Sequence, residues 1–98
     1  MRIELKQFGT TLTSRQDGRE ALAAIGPQLQ NVKNDEHVEV DFTGVITFTP
    51  SWADEFITRL VERFPHRVYL RHTDNPSVRA TFNLLEKLSG TLFQRDVY

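Results

Sequence analysis

The sequence predicts an α/β fold of β-α-β-α-β-α order around a mostly parallel sheet. Three observations lead there. Strand patterns recur near residues 2–7, where apolar and polar residues alternate, and near 38–48 and 67–71, which are rich in β-branched and aromatic residues. Each run is followed by apolar residues at helical spacing, opened by a cap or proline signal: Ser14, Thr49-Pro50-Ser51 and Asn75-Pro76. Strands alternating with helices form parallel sheets with right-handed crossovers.

Length and composition bound the rest. At 98 residues and 39% hydrophobic, the chain holds enough apolar material for one core and a single domain over residues 1–98, but not for a large buried pocket. A formal net charge of −1 gives no basic face for nucleic acid. The chain has no cysteine, so disulfides, thiolate metal sites and a cysteine nucleophile are excluded, and a cytoplasmic setting is expected. Residues 1–9 alternate in polarity rather than forming the apolar core of a signal peptide. No stretch approaches the length of a membrane span, so no membrane association is expected.

In chain order, Ile3 and Leu5 alternate with Arg2, Glu4 and Lys6, which predicts a strand over residues 2–7. Residues 8–13 form a connecting loop. Ser14 with Asp17 resembles a capping box and opens a helix to about residue 31, with Leu22, Ile25 and Leu29 on its apolar side. Gly26-Pro27 conflicts with that helix, because an interior proline removes a hydrogen bond at a cost of about 3 kcal/mol. Either the helix kinks there, or it stops and restarts at Pro27. Residues 33–36 are a polar loop.

The central unit spans residues 38–64. Val38, Val40 and Phe42 alternate with Glu39 and Asp41, and Val45, Ile46 and Phe48 continue the apolar run. Thr43-Gly44 offers a turn or bulge. The following helix starts at Pro50, capped by Ser51 paired with Asp54 or by Thr49. Trp52, Phe56, Ile57, Leu60, Val61 and Phe64 make its apolar stripe. Residues 67–71 predict a third strand. Asn75 is the expected N-cap of a third helix with Val78, Phe82, Leu85 and Leu88 at helical spacing, Leu84 beside them, and Gly90 as its stop. The last residues, 91–98, form a packed tail or a short extra strand.

Functional loops in such folds lie at the carboxyl ends of the strands. Here that edge collects Ser14, Arg15, Thr49, Ser51, His72, Asp74 and Asn75. Arg15 suits an anion or a partner carboxylate, or else a surface ion pair with Asp17 or Glu20. Asp41 accepts hydrogen bonds from the next loop, or serves as a metal or acid/base group. Asp54 and Glu55 are neighbours on a helix, so they diverge and read as solvated first-turn carboxylates. Trp52 and Phe56 read as core rather than a ligand platform, although the first turn leaves room for partial exposure of Trp52. His37, His66 and His72 lack metal-ligand spacing, so no metal and no cofactor is expected. Only His72 shares an edge with Ser51, and no oxyanion donors are evident, so no enzyme activity is expected. Arg59, Arg63, His66, Arg67 and Arg71 read as a solvated face.

Two blocks carry a family resemblance: Ser14-Arg15 with Gly18, and Asp41-Phe42-Thr43-Gly44-Val45 through Ser51-Trp52-Ala53-Asp54-Glu55. They resemble the bacterial STAS-like domain family of unknown function, which is similar in organisation to anti-sigma factor antagonists. In those antagonists, a strand like Val40-Asp41-Phe42 leads through a short loop to a serine that a partner anti-sigma kinase phosphorylates. The resemblance puts the phosphoacceptor at Ser51. It implies a regulatory protein-interaction domain that binds through Ser14, Arg15, Thr49, Trp52 and Asp54. The implied partner is a histidine-kinase-like ATPase or an anti-sigma-type kinase. The chain departs from the antagonists at Thr49, where they carry an acidic residue, and at Trp52, where they carry glycine. The other expectation is a small-anion or nucleotide sensor at the same helix start. Unpaired sheet edges leave both monomer and homodimer open.

Overall fold

The computed structural model describes residues 1–89 and the strand Gln94–Arg95. A four-stranded parallel sheet runs in the order β1 (Arg2–Glu4), β3 (Val38–Asp41), β5 (Val68–Leu70), β6 (Gln94–Arg95). A separate parallel ribbon pairs β2 (Thr11–Leu12) with β4 (Thr47–Phe48). The helices are α1 (Arg15–Leu29), α2 (Pro50–Ala53), α3 (Arg59–Arg63) and α4 (Pro76–Ser89). A π-helical turn, Asp54–Thr58, joins α2 directly to α3. The expected α/β, STAS-like architecture is therefore present.

Register follows from burial. Ile3, Val40 and Leu70 pair in one row, and Val38 pairs with Val68. All five are buried, so this face of the sheet meets the core. The alternate residues Arg2, Glu39 and Tyr69 form the row on the opposite face. A one-residue slip would exchange the two sets, so the pattern locks the pairing. The core continues into an aromatic cluster. Trp52 stacks on Phe56 at 4.8 Å between ring centroids, and Phe42 meets Phe82 at 5.0 Å.

The first expected strand is shorter than its alternation suggests. It ends at Glu4, and residues Leu5–Phe8 form a 3-10 turn that still buries Leu5. The apolar run of the central unit is also not one strand. It breaks after Asp41 at a turn in which the Val45 N–H donates to the Phe42 carbonyl at 3.0 Å. Gly44 sits there with φ of 88°, a conformation that side-chain-bearing residues avoid. Thr47 and Phe48 then leave the main sheet and pair with Thr11 and Leu12. The expected loop over residues 8–13 thus contains a strand. Two-residue strands carry no periodicity, so this ribbon had no sequence signal.

Helix α1 runs unbroken through Pro27. Two features permit this. Pro27 and Ala23, whose carbonyl the missing N–H would have bonded, are both exposed, so water reaches that oxygen. Gly26 has no Cβ to clash with the proline ring behind it. Ser14 caps the helix as expected, its Oγ accepting from the Asp17 N–H at 3.0 Å.

Asn75 caps α4 and does more. Its Oδ1 accepts from the N–H groups of Ser77 and Val78, while its Nδ2 donates to the carbonyls of Val45 and Ile46 at 2.8 and 3.0 Å. Beside it, the Ser77 hydroxyl accepts from Phe48 N–H and donates to Phe48 C=O, and the buried Thr81 donates to the same carbonyl. These hydroxyls satisfy the backbone of β4, which would otherwise lie unpaired against α4. Gly90 and the rest of the expected tail, apart from Gln94–Arg95, lie outside the described residues.

Candidate functional site

The β4–α2 junction is fixed from both sides. The Thr49 N–H donates to the Leu12 carbonyl at 3.1 Å, and Thr49 Oγ1 donates to the Thr13 carbonyl at 2.7 Å. Thr49 holds the N-cap position of α2 but forms no side-chain cap bond, because its hydroxyl is spent on the neighbouring loop. Asn75 ties the third loop to the second through Val45 and Ile46. The three loops expected at one edge do meet. His72 lies apart within that edge: its Nε2 contacts the exposed Asp74 at 3.1 Å.

Helix α1 presses on this junction at Gly18. A Cβ at that position would lie 2.5 Å from the Trp52 carbonyl oxygen and 3.1 Å from its Cα. The two backbones meet directly there, so Gly18 is a close-approach residue.

Ser51 does not cap the helix. It sits in the first turn after Pro50, is exposed, and its hydroxyl makes no hydrogen bond among the described residues. Its hydroxyl is therefore available to solvent. Trp52, by contrast, is 1% exposed, and its ring lies against Phe8, Phe48 and Phe56. Trp52 is thus core, and the partial exposure that the first turn allowed is not observed. The aromatic core takes the indole up, and a partner at this surface would not meet it.

Arg15 bridges α1 to the π-helical turn. One nitrogen, Nη1, donates to Asp54 Oδ2 and to Glu55 Oε1, each at 2.9 Å. The surface pair with Asp17 or Glu20 is replaced by this inter-helix link. The divergence expected of Asp54 and Glu55 also fails, for a local reason. A π turn rotates less per residue than an α turn, so adjacent side chains stay closer in direction. Arg19 adds a longer contact to Glu55 at 3.8 Å. The hydrogen bond from Arg15 holds the Asp54 carboxyl below its ordinary value against some opposition from burial, with help from the Thr58 hydroxyl. The same bonds raise the Arg15 guanidinium.

Arg15, Ser51 and Asp54 line a shallow cleft of about 340 Å³ together with Pro50, Thr58, Leu85 and Leu88. Its wall on α4 was not legible as surface. Leu88 keeps the helical spacing of Val78, Phe82 and Leu85, yet it is 74% exposed, and Leu84 is 41% exposed. Leu84 and Leu88 lie four residues apart on one face of α4, turned away from the core that takes Leu85.

Asp41 lies at the far end of β3 and takes a structural role. One oxygen accepts from the Thr43 N–H and hydroxyl at 3.0 and 2.8 Å, and the other is paired with Arg2. Burial opposes its ionisation, but these donors prevail and lower its pKa to about 2. Among the described residues no group of histidine and carboxylate side chains could hold a metal ion. No helix among them is long and apolar enough to cross a membrane.

Comparison with curated proteins and with solved structures gave no match. A family model described as a STAS-like domain of unknown function (DUF4325) matches residues 26–77. The matched span runs from the end of α1 to the start of α4 and includes Asp41, Gly44, Ser51, Asp54 and Asn75. Ser14, Arg15 and Gly18 precede it. With more than half of its length matched, the chain belongs to the STAS-like domain family of unknown function.

Proposed function

We propose that this chain is a non-enzymatic regulatory domain that docks on a protein partner, and that phosphorylation of Ser51 switches the docking. The docking surface is the cleft of Arg15, Ser51 and Asp54 with the exposed Leu88 as its apolar wall. The observation that supports this reading most is the setting of Ser51: an exposed hydroxyl with no capping duty, beside an uncovered leucine. Leu84, four residues before Leu88 on the same helix, is also exposed, and contiguous apolar surface rimmed by polar groups marks interaction sites.

The partner class is a histidine-kinase-like ATPase or an anti-sigma-type kinase, as in the antagonists that the family resembles. Such a partner supplies a nucleoside triphosphate. The Ser51 oxygen attacks the γ-phosphorus, the bond to the β-phosphate oxygen breaks, the diphosphate leaves, and a base on the kinase takes the hydroxyl proton. The product carries roughly −1.5 to −2 charge at neutral pH. Set between docked surfaces, that charge is desolvated and opposes the complex. This reading places the domain in the cytoplasm, where such kinases find their nucleotide.

A small-anion sensor fits the cleft less well. Arg15, the cation lining it, is already shared by two carboxylates, and Asp54 lines the same space.

Affinity capture with the tagged chain, compared across variants, tests the docking. A kinase-like ATPase retained by the wild type and by Ser51→Ala, but lost with Ser51→Glu and with Leu88→Asp, is the expected result. It should also phosphorylate Ser51 when given ATP. A partner indifferent to both Ser51→Glu and Leu88→Asp would overturn the proposed surface. Saturable binding of inorganic phosphate or nucleotide that depends on Arg15 would favour the sensor instead.

A further inference from the structure

The link between Arg15 and the π-helical turn is built to be released. A single Arg15 nitrogen serves both Asp54 and Glu55. Neither carboxylate depends on it alone. Glu55 has Arg19 at 3.8 Å, and Asp54 has the Thr58 hydroxyl. The Asp54 side chain is a third exposed, so water can replace the lost donor. Removing Arg15 therefore leaves Asp54 to water and Glu55, 15% exposed, to Arg19, while the Arg15–Asp54 pair, exposed on both sides, contributes little to stability.

Ser51 lies three and four residues before these carboxylates on one continuous helix. Side chains at those separations are neighbours. Ser51, Arg15 and Asp54 also face one cleft. A dianion on Ser51 would repel Asp54 and Glu55 and offer three strong acceptors to the guanidinium. An arginine fork binds phosphate with two parallel hydrogen bonds, which one nitrogen divided between two carboxylates does not match.

We infer that Arg15 is the intramolecular receptor for phosphorylated Ser51: the guanidinium leaves Asp54 and Glu55 and pairs with the phosphate across the cleft. This inference rests on the Ser51 reading above and adds the residue that responds to the modification. The handover changes the docking surface in two ways. It occupies the cleft beside Leu88 with an ion pair, and it uncovers two carboxylates on the π turn. A partner fitted to the unmodified face then meets new negative charge at Asp54 and Glu55 as well as at Ser51.

The test needs no kinase. Phosphoserine is installed at position 51 of the full chain during synthesis, and its second ionisation is followed by ³¹P NMR. With Arg15 present, that ionisation should fall by about 0.5–1 pH unit relative to Arg15→Gln, which should return toward the ordinary value near about 6. Arg15→Lys keeps the charge without the fork and should lie between the two. It also serves as the comparison if the glutamine variant does not fold. In the phosphorylated wild type, the Asp54 carboxyl should titrate higher than in the unmodified chain. Identical phosphate titrations with arginine, lysine and glutamine at position 15 would overturn the handover. The titration and the partner capture fail separately. A partner that ignores both Ser51→Glu and Leu88→Asp sinks the docking reading without touching the phosphate result, and the converse holds too.

Discussion

A methyl group on Gly18 would sit 2.5 Å from the carbonyl oxygen of Trp52, so α1 and the start of α2 are in backbone contact at that point. This contact sets the depth at which α1 lies and places Arg15, one turn earlier, within reach of Asp54 and Glu55. Gly18→Ala should therefore destabilise the domain even though alanine is the better helix former. Overpacking costs about 1–3 kcal/mol, while the propensity gain is about 1 kcal/mol. Chemical denaturation should show a net loss of up to about 2 kcal/mol.

Ser51→Ala should leave stability within about 0.5 kcal/mol of the wild type, because the exposed hydroxyl has no hydrogen-bond partner among the described residues. A capping serine would lose about 1 kcal/mol. The matching control is Ser14→Ala, which removes an observed cap and should cost about that amount, again read by denaturation.

Asp41 gives a pH signature. Its folded pKa of about 2 lies below the ordinary carboxylate value. Its contribution to stability is thus complete above about pH 4 and is lost as pH falls toward 2, with a size of about 2 kcal/mol. Asp41→Asn should lower stability at neutral pH and flatten the acid limb between about pH 4 and 2. Urea unfolding across that range checks both effects. A variant whose acid limb matches the wild type would assign the acid sensitivity elsewhere.

Asn75 works at both ends of its amide. Asn75→Ala loses the α4 cap and the grip on the Val45 and Ile46 carbonyls, and should cost about 2 kcal/mol. Asn75→Asp keeps the cap oxygen but turns a second oxygen toward those carbonyls. It should also destabilise, and its deficit should shrink at low pH, where the acid can donate. Thermal melts of both variants at two pH values separate capping from the loop contact.

Pro27 offers a gain. Replacing it by alanine restores the N–H that Ala23 lacks on the solvent face of α1. Stability should rise by about 1 kcal/mol, less than the full proline penalty because the site is near the helix end and the unfolded chain becomes looser.

The order of strands and helices, the core residues and the caps at Ser14 and Asn75 were legible because local rules govern them. Alternation at Val38, Val40 and Val68 reads as one buried face of a sheet. A cap such as Asn75-Pro76 acts over one helical turn. The sequence also placed Ser51 at the start of its helix. Properties that depend on what packs across the chain were decided only in three dimensions. The exposure of Leu88 depends on which face of α4 the core takes, although its spacing is that of a buried leucine. The pairing of Arg15 depends on a helix about forty residues away and on a π turn that periodicity does not encode. The β2–β4 ribbon exists because Thr10 and Leu12 find the backbone of residues 46–49, a contact with no local pattern. The capping geometry at this helix start was decided the same way. Thr49 holds the cap position, Thr13 draws its hydroxyl away, and the neighbouring serine is left facing solvent.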